Sequence, residues 1–334
     1  MTKIYMYGVA EHERPFIDQW KEAHPDVDLT LDTDILNAET ASRAEGADGV
    51  SSYQYAPTGD EVYATFKSFD IKNIAQRMAG FDPYNLDLAS ENDIVVSNVP
   101  AYSPASIAEH TVMQALNAAR NAYTVHDRVQ AHNFQEGDVI RGERLGNMKV
   151  AIIGTGRIGA TTGRLLKGFG CEIVGYDIYQ NDSLVEEGLL EYVDTVEEAV
   201  ADADIVSLHL PATDETTHMF NTELFSKFKD GAILLNPGRG ALIKTEDLLD
   251  ALNKGKVGKA AIDTYENEFD YVKHDYRQKE VDDTTLLRLI HHPNVSWTPH
   301  IAYYTTESVR NMVFHALDAT LDVVNTGTTD IRVN

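Results

Sequence analysis

A buried strand that runs directly into a glycine-rich turn constrains the fold of this chain more than any other feature. Residues 150–153 read Val-Ala-Ile-Ile, which is typical of a strand covered on both faces, and Gly154, Gly156 and Gly159 follow in a G-x-G-x-x-G pattern. Apolar residues at helical spacing come next, beginning with Ile158. A strand, a tight glycine turn and a helix in this order form the first half of a βαβ unit. The segment therefore predicts a parallel α/β sheet.

The same turn predicts a site for a dinucleotide. Glycine has no side chain, so the backbone N–H groups and the helix N-terminus can approach a pyrophosphate closely. Asp177 follows Gly154 at close to the spacing of about 20 residues expected for a carboxylate that bonds the ribose hydroxyls. A 2′-phosphate would be repelled by this carboxylate, so NAD is preferred over NADP. The alternative is a tight turn that only packs a helix on a sheet, and it leaves Asp177 without a role.

Apolar runs at strand-like spacing form two series along the chain, which predict an α/β fold with two doubly wound parallel sheets. In the first series the predicted strands are 4–7, 47–50, 71–75 and 94–97. In the second series they are 149–153, 172–176, 205–208, 232–235, 259–262 and 295–297. The second series contains the glycine turn and indicates a Rossmann domain, and the first indicates a smaller, flavodoxin-like domain.

Two long stretches of the chain are predicted to be helical. The stretch 104–130 is compatible with one helix, for which Ser103 is the expected N-cap and Pro104 the first helical residue. The stretch 306–324 carries apolar residues at helical spacing but has no strand after it to cross to. We therefore expect this last helix to return to the first domain.

The return of the last helix predicts how the domains are connected. The Rossmann domain, residues 103–302, is expected to be an insertion in a substrate domain made of residues 1–102 and 303–334. The chain then crosses between the domains near Tyr102 and Tyr303. Two such crossings imply a cleft that closes over a ligand and excludes water.

The charge balance excludes several classes of function. The chain has 53 acidic and 28 basic residues and a formal net charge of −25, which repels nucleic acids and anionic membrane surfaces. No apolar stretch approaches the roughly 20 residues of a membrane-spanning helix, and the N-terminus leads into a strand without a signal-peptide hydrophobic region. The single cysteine, Cys171, is interpreted as a core residue. We expect a cytoplasmic protein without a metal site, and composition leaves open whether the acidity is an adaptation to salt.

Three loops that follow predicted strands carry side chains capable of chemistry, at the end of the sheet where open α/β folds bind ligands. Arg239 follows one strand, and its planar guanidinium can grip a carboxylate or, alternatively, pair with a surface acid. Asp263 and Glu268 follow the next strand, although most acidic loop residues are only solvated. His300 follows the last strand behind Pro299, although a single histidine is more often a satisfied core or surface residue.

Taken together, these side chains match the requirements of a 2-keto acid reduction. A hydride reaches the carbonyl carbon, a proton must reach the carbonyl oxygen, and the carboxylate must be clamped so that one face meets the nicotinamide. Arg239 would hold the carboxylate, His300 would transfer the proton, and Glu268 would orient His300 and stabilise its charged form.

The motifs around these residues resemble those of a known family. The chain is similar over nearly its whole length to the D-specific 2-hydroxyacid dehydrogenases, most closely to the branch of D-lactate and D-2-hydroxyisocaproate dehydrogenases. The motifs that carry the resemblance are 98–104 (NVPAYSP) with 107–109 (IAE), 154–159 (GTGRIG), 167–170 (KGFG), 236–240 (NPGRG), 263–268 (DTYENE) and 299–305 (PHIAYYT). Their order and spacing together are highly specific.

This resemblance implies an activity and a set of residue roles. It implies the reversible reduction of a 2-keto acid, with pyruvate favoured, to the D-2-hydroxy acid by NADH. His300 is the implied acid/base, Glu268 its partner and Arg239 the carboxylate anchor. The implied cofactor contacts are Asp263 at the nicotinamide amide, Arg157 and Ile158 at the pyrophosphate, and Leu210 and Pro211 on the adenine side.

The resemblance also implies substrate contacts and an oligomeric state. The substrate carboxylate would accept backbone N–H groups from the loop 77–80, which contains Ala79 and Gly80, and Tyr102 would line the pocket. Such enzymes are usually homodimers, joined here through the stretch 104–130.

The implied pocket leaves the size of the substrate open. Tyr53 with Gln54 resembles the lactate branch, where a bulky aromatic residue shortens the pocket. Tyr303 stands where lactate enzymes commonly have Phe and resembles the branched-chain branch, and the loop 78–83 departs from the family's usual sequence. The alternatives are a D-2-hydroxyisocaproate-type dehydrogenase for bulkier 2-keto acids, a 3-phosphoglycerate or glyoxylate-type dehydrogenase, and an NAD-sensing, corepressor-like binding protein.

Overall fold

The computed structural model describes all 334 residues, which form two compact units. The terminal unit consists of Met1–Ser103 and Tyr304–Asn334, and the central unit is Pro104–Tyr303. The sequence predicts that the chain passes between the domains after residues 102 and 302, which is one residue earlier than the boundaries of these two units. None of the helices combines the length and the apolar character that crossing a membrane requires.

The secondary structure alternates between strands and helices along most of the chain. The strands are β1 Thr2–Tyr7, β2 Val27–Leu31, β3 Gly49–Ser52, β4 Asn73–Gln76, β5 Val95–Ser97, β6 Lys149–Ile153, β7 Glu172–Tyr176, β8 Glu191–Tyr192, β9 Ile205–Leu208, β10 Ala232–Asn236, β11 Val257–Ile262 and β12 Val295–Trp297. The α-helices are α1 Arg14–Ala23, α2 Glu61–Ser68, α3 Leu86–Glu91, α4 Pro104–Ala119, α5 Ala122–Gln130, α6 Arg157–Gly168, α7 Asp182–Glu186, α8 Val196–Ala201, α9 Thr222–Lys227, α10 Thr245–Asn253, α11 Thr284–Ile290 and α12 Thr306–Thr326.

The terminal unit is built on a five-stranded parallel sheet with the order β2-β1-β3-β4-β5. The sequence patterns predict four of these strands and miss β2. In β2 only Val27 is buried and the residues after it alternate between exposed and partly exposed, as expected at the edge of a sheet. The carboxyl ends of β3 and β4 are adjacent, so the loops after Ser52 and Gln76 lie side by side.

Helix α12 returns to the terminal unit, as predicted from the sequence. Its residues Val313 and Leu317 are buried in one core with Met6 of β1 and Trp20 of α1. The indole N–H of Trp20 also donates to the Asp318 carboxylate at 2.7 Å. The last helix therefore packs with α1 against the sheet of the terminal unit.

The central unit is built on a seven-stranded parallel sheet with the order β12-β11-β10-β9-β6-β7-β8. The strand order reverses between β6 and β9, because β7 and β8 lie on one side of β6 and the later strands on the other. This reversal is the switch point at which such sheets bind ligands outside the carboxyl ends of their strands. The structure therefore confirms two doubly wound parallel sheets and adds β8, a two-residue edge strand that the sequence patterns miss.

The predicted single helix over 104–130 is wrong, because the stretch forms two helices. The chain breaks at Asn121, whose φ of 54° is left-handed, a conformation that asparagine tolerates better than most residues. Helix α4 packs its residues Val112, Ala115 and Ala119 into the core beneath α6. Helix α5, in contrast, has no buried residue.

Candidate active site

The glycine turn lies at the switch point of the central sheet, and its geometry requires glycine. Gly154 has a φ of +93°, and a Cβ there would lie 2.7 Å from the carbonyl oxygen of His209. A Cβ on Gly159 would lie 2.0 Å from the carbonyl oxygen of Gly154, so α6 packs directly on the turn. Gly156, the N-cap of α6, has open space around its Cβ position and provides no side-chain cap. The first N–H groups of α6 are therefore available to a phosphate.

The Asp177 carboxylate is oriented beside this turn at the end of β7. One oxygen accepts the backbone N–H of Thr155 at 2.7 Å and its hydroxyl at 3.2 Å. The other accepts the backbone N–H of Tyr179 at 2.9 Å. No lysine or arginine stands between residues 177 and 183 to balance a 2′-phosphate. The open turn and the oriented carboxylate fit NAD, for which Arg157 and Ile158 would lie at the pyrophosphate.

His209 packs against this turn, although its sequence context did not indicate it. It follows β9, and its Nε2 lies 2.9 Å from the Ser207 hydroxyl, while its Nδ1 is buried without a hydrogen-bond partner. Burial lowers the pKa of His209 to about 3, so the imidazole is neutral. The next residue, Leu210, has its side chain 3.1 Å from the Cβ position of Gly154, and Pro211 follows on the surface. Of the two predicted adenine-side residues, Leu210 thus borders the glycine turn.

Arg239 lies in a loop that β10 holds in place. The Asn236 side chain donates to the Arg239 carbonyl oxygen at 2.9 Å and accepts the backbone N–H of Gly238 at 3.1 Å. The Arg239 guanidinium donates to the Gly238 carbonyl oxygen at 3.1 Å and forms no ion pair with an acidic side chain of the central unit. A partly buried guanidinium without a protein carboxylate is suited to bind a carboxylate ligand.

His300 and Glu268 form an imidazole–carboxylate pair at the same edge of the sheet. The Nδ1 atom of His300 lies 2.7 Å from Oε1 of Glu268, and both side chains are partly exposed. The second carboxylate oxygen of Glu268 accepts the backbone N–H of Tyr265 at 3.0 Å. Because Nδ1 faces Glu268, Nε2 of His300 is the atom that remains for proton transfer.

Asp263 is buried, and its carboxylate holds the loop of His300. It accepts the Thr298 hydroxyl at 2.5 Å and the backbone N–H groups of Ile301 and Ala302 at 3.0 and 2.9 Å. A carboxylate has about four acceptor positions, so these three donors leave one for a further group. The role that the resemblance implies for Asp263, a contact with the nicotinamide amide, depends on that position.

Comparison with known proteins assigns the chain to a family. Residues 112–302 match the model of the D-isomer specific 2-hydroxyacid dehydrogenase family, NAD binding domain. The chain is 49% identical to a D-lactate dehydrogenase of Streptococcus pyogenes serotype M1, over 99% of this chain and 100% of that protein. The chain belongs to the D-isomer specific 2-hydroxyacid dehydrogenase family.

Two solved structures share the fold of this dehydrogenase over its length. A D-lactate dehydrogenase from Treponema pallidum has a TM-score of 0.91 at 36% identity, and the match covers 100% of both chains. A D-2-hydroxyisocaproate dehydrogenase has a TM-score of 0.91 at 33% identity, and the match covers 99% of both chains. The dehydrogenase is an NAD-dependent oxidoreductase.

The substrate residues predicted for this dehydrogenase in the terminal unit lie at the carboxyl ends of neighbouring strands. Tyr53 follows β3 and is buried, and Ala79 and Gly80 follow β4 in a partly exposed loop. The carbonyl oxygens of Ala79 and Gly80 accept the side chains of Asn98 and Gln76, whereas their N–H groups have no acceptor in the unit. These N–H groups are therefore available to an anion.

A buried ion pair that the sequence patterns did not reveal supports this loop. Arg77 stands directly before it, and its guanidinium donates to the Glu13 carboxylate at 2.7 and 3.2 Å with both side chains almost fully buried. The same guanidinium donates to the Tyr7 carbonyl oxygen at 2.9 Å. Tyr102 lies near the end of the terminal unit's first segment, where its carbonyl oxygen accepts the Asn311 side chain at 2.7 Å. In the central unit Tyr303 is buried at the C-terminal end.

Proposed function

We propose that this dehydrogenase is a D-lactate dehydrogenase, which reduces pyruvate to D-lactate with NADH and catalyses the reverse reaction. The observation that carries the proposal is the 2.7 Å contact between His300 and Glu268, which follow β12 and β11 in the same parallel sheet in which Arg239 follows β10 and the glycine turn follows β6. The relatives named D-lactate dehydrogenase, which match over 99% of the chain or more, support pyruvate as the substrate.

Apart from the hydride, residues of the central unit supply what the reaction requires: the proton, the orientation of the proton donor and an anchor for the substrate carboxylate. NADH, when bound, would supply the hydride for the carbonyl carbon of pyruvate. His300 donates the proton from Nε2 to the carbonyl oxygen, and Glu268 keeps the imidazole oriented through Nδ1. Arg239 holds the substrate carboxylate with two parallel hydrogen bonds. Asp263 keeps the loop of His300 in place through its three hydrogen bonds.

The terminal unit provides the substrate domain in this proposal. Within this unit, the proposed substrate contacts are the N–H groups of Ala79 and Gly80 and the side chains of Tyr53 and Tyr102. A tyrosine at position 53 shortens the pocket and thereby favours the methyl group of pyruvate.

A panel of 2-keto acids tests the proposed function. NADH oxidation is followed by absorbance with pyruvate, 2-ketoisocaproate and phenylpyruvate, and the configuration of the product is determined by chiral chromatography. The expected result is the highest kcat/KM for pyruvate and D-lactate as its product. A higher kcat/KM for 2-ketoisocaproate would instead favour the D-2-hydroxyisocaproate-type enzyme, which the structural match at a TM-score of 0.91 also supports. No oxidation with any acid would favour the NAD-sensing binding protein.

The proposed enzyme is a homodimer joined through helices α4 and α5. Helix α5 has no buried residue, and the segment after it exposes Phe134 to 75% and Val139 to 60%. Apolar side chains exposed in one segment are typical of a surface that a partner covers. Sedimentation velocity is expected to give the mass of two chains for the wild type and of one chain for Phe134→Glu, whereas a monomeric wild type would exclude this interface.

We place the enzyme in the cytoplasm, because the reaction consumes NADH and pyruvate, which that compartment supplies. Fractionation of the source cells tests this. Activity with pyruvate and NADH is expected in the cytoplasmic fraction, and its recovery outside the cell would exclude that location.

A further inference from the structure

A second imidazole–carboxylate pair lies in the central unit, outside the groups used for the reaction. His218, in the segment between β9 and α9, is hydrogen-bonded through Nε2 to Oε1 of Glu266. The His218 side chain is 42% exposed and that of Glu266 is 23% exposed, so the pair is not part of the hydrophobic core. Any effect of the pair on the reaction therefore depends on the loops to which His218 and Glu266 are hydrogen-bonded.

His218 is attached to the loop of Arg239. Its backbone N–H donates to the carbonyl oxygen of Ala241 at 2.8 Å, two residues after the arginine. His218 has a left-handed φ of 54°, a conformation that costs free energy in a residue other than glycine. Such a conformation persists only where the surroundings determine it, and here the contacts to Ala241 and Glu266 do so.

Glu266 is attached to the same loop from the other side. Its second carboxylate oxygen accepts the backbone N–H of Thr245, the first residue of α10, at 3.1 Å. The two loops are also in direct contact, since a Cβ on Gly240 would lie 2.1 Å from the carbonyl carbon of Tyr265 and 2.5 Å from the Glu266 nitrogen. Glu266 therefore links its own loop to His218, which precedes the Arg239 loop in the chain, and to Thr245, which follows it.

The loop of Glu266 is the one that carries Glu268. The Tyr265 backbone N–H, next to Glu266, donates to the Glu268 carboxylate at 3.0 Å, and that carboxylate contacts His300. A shift of Glu266 would consequently move the hydrogen-bond donor that orients Glu268. Arg239 and Glu268 belong to two different loops, and the His218–Glu266 pair joins these loops through side chains.

We propose that His218 and Glu266 are positioning residues, which set the distance between the carboxylate anchor Arg239 and the Glu268–His300 pair. The inference rests on the proposed function, because it assigns the pair to the geometry of that reaction. Substrate must be held by the arginine while its carbonyl oxygen meets the imidazole, and a misplacement of about 1 Å costs on the order of a hundredfold in rate.

The test compares His218→Ala with His218→Gln in the full-length enzyme. The glutamine amide Nε2 can occupy the place of the imidazole Nε2 and donate to Glu266, whereas alanine cannot. For His218→Ala we expect KM for pyruvate and the inhibition constant of oxamate, a pyruvate analogue, to rise and kcat to fall, with kcat/KM lower by about ten- to a hundredfold. His218→Gln is expected to restore most of this loss. NADH binding, measured by fluorescence, should stay unchanged, because the hydrogen bonds of His218 go to Ala241 and Glu266 and not to the glycine turn.

Two further variants separate positioning from mere folding. His291→Ala removes an exposed histidine at the end of α11 and should leave all constants unchanged. Glu266→Asp keeps the charge but is too short to reach both His218 and Thr245, so it should reproduce the rise in KM if His218→Ala fails to fold. A purely structural role would lower the thermal midpoint or the yield of active enzyme and leave KM and the oxamate constant unchanged.

The outcomes distinguish this inference from the proposed function. An active wild type with unchanged constants in His218→Ala and Glu266→Asp would overturn the positioning role alone. Failure of His218→Gln to recover activity would also contradict it. If the wild type reduces another 2-keto acid, the same comparison is made with that acid, and a wild type that reduces none would overturn both.

Discussion

The backbone N–H of His300 donates to the carbonyl oxygen of Asp263 at 2.7 Å, which connects the loop after β12 to the end of β11. His300 itself has a left-handed φ of 54°, so its side chain projects from a turn that needs support. The Asp263 carboxylate provides that support through the N–H groups of Ile301 and Ala302. The position of the proposed acid is thus determined by a neighbouring strand end.

Replacement of the proposed acid tests its role directly. His300→Gln keeps a polar side chain of similar size but removes the group that transfers the proton. We expect kcat for pyruvate reduction to fall by roughly 10²–10⁴-fold. Steady-state kinetics provide the measurement, and unchanged NADH binding by fluorescence serves as the control for folding. Turnover equal to that of the wild type would exclude His300 as the acid.

Removal of the positive charge at position 239 should act mainly on substrate binding. Arg239→Gln loses charge-assisted hydrogen bonds that contribute about 1.5–3 kcal/mol, so KM for pyruvate should rise about ten- to a hundredfold. A matched control is Arg164→Gln, which removes an exposed arginine paired with Glu187 and should leave KM unchanged. Equal KM values in wild type and Arg239→Gln would show that another group anchors the carboxylate.

The cofactor preference should depend on Asp177. Asp177→Ala removes the carboxylate that faces the ribose, so KM for NADH should rise about tenfold, as expected for lost hydrogen bonds to a charged group. The same change removes the repulsion of a 2′-phosphate, so KM for NADPH should fall. Asp182→Asn, an exposed change at the start of α7, is the control. A variant with the wild-type ratio of the two KM values would contradict the assignment.

The stability of the protein at acid pH should depend on His209. Burial lowers the pKa of His209 to about 3, compared with about 6.5 in an unfolded chain. Between these pH values His209 binds a proton in the unfolded state and not in the folded state. The free energy of unfolding is therefore not reduced by this group above about pH 6.5, and it falls as the pH decreases towards 3. At pH 5 this one group should cost about 2 kcal/mol.

A variant without this histidine isolates the effect. In His209→Gln the loss of unfolding free energy between pH 7 and pH 5, measured by urea denaturation, should be smaller than in the wild type by about 2 kcal/mol. His315→Gln replaces an exposed histidine on α12 and should keep the wild-type difference. The same loss in all three proteins would show that His209 is not buried in its neutral form.

Strands with continuous apolar runs could be predicted from the sequence, because burial on both faces requires apolar residues at every position. The edge strands β2 and β8 could not, because they are short or half exposed and therefore lack that pattern. The break after α4 also escaped prediction, since the residues around Asn121 are compatible with a helix and only its left-handed conformation ends it.

The amino-acid sequence by itself determined the chemistry available to this protein: a glycine turn for a dinucleotide, a guanidinium, an imidazole and a carboxylate, each at the end of an apolar run. The tertiary structure decided which of these groups meet, because contacts between Asp263 and the loop of His300, or between Thr155 and Asp177, depend on the order of strands in the sheet. Spacing along the chain does not specify that order. Hydrogen bonds between loops form only after the sheet has brought the ends of distant strands together.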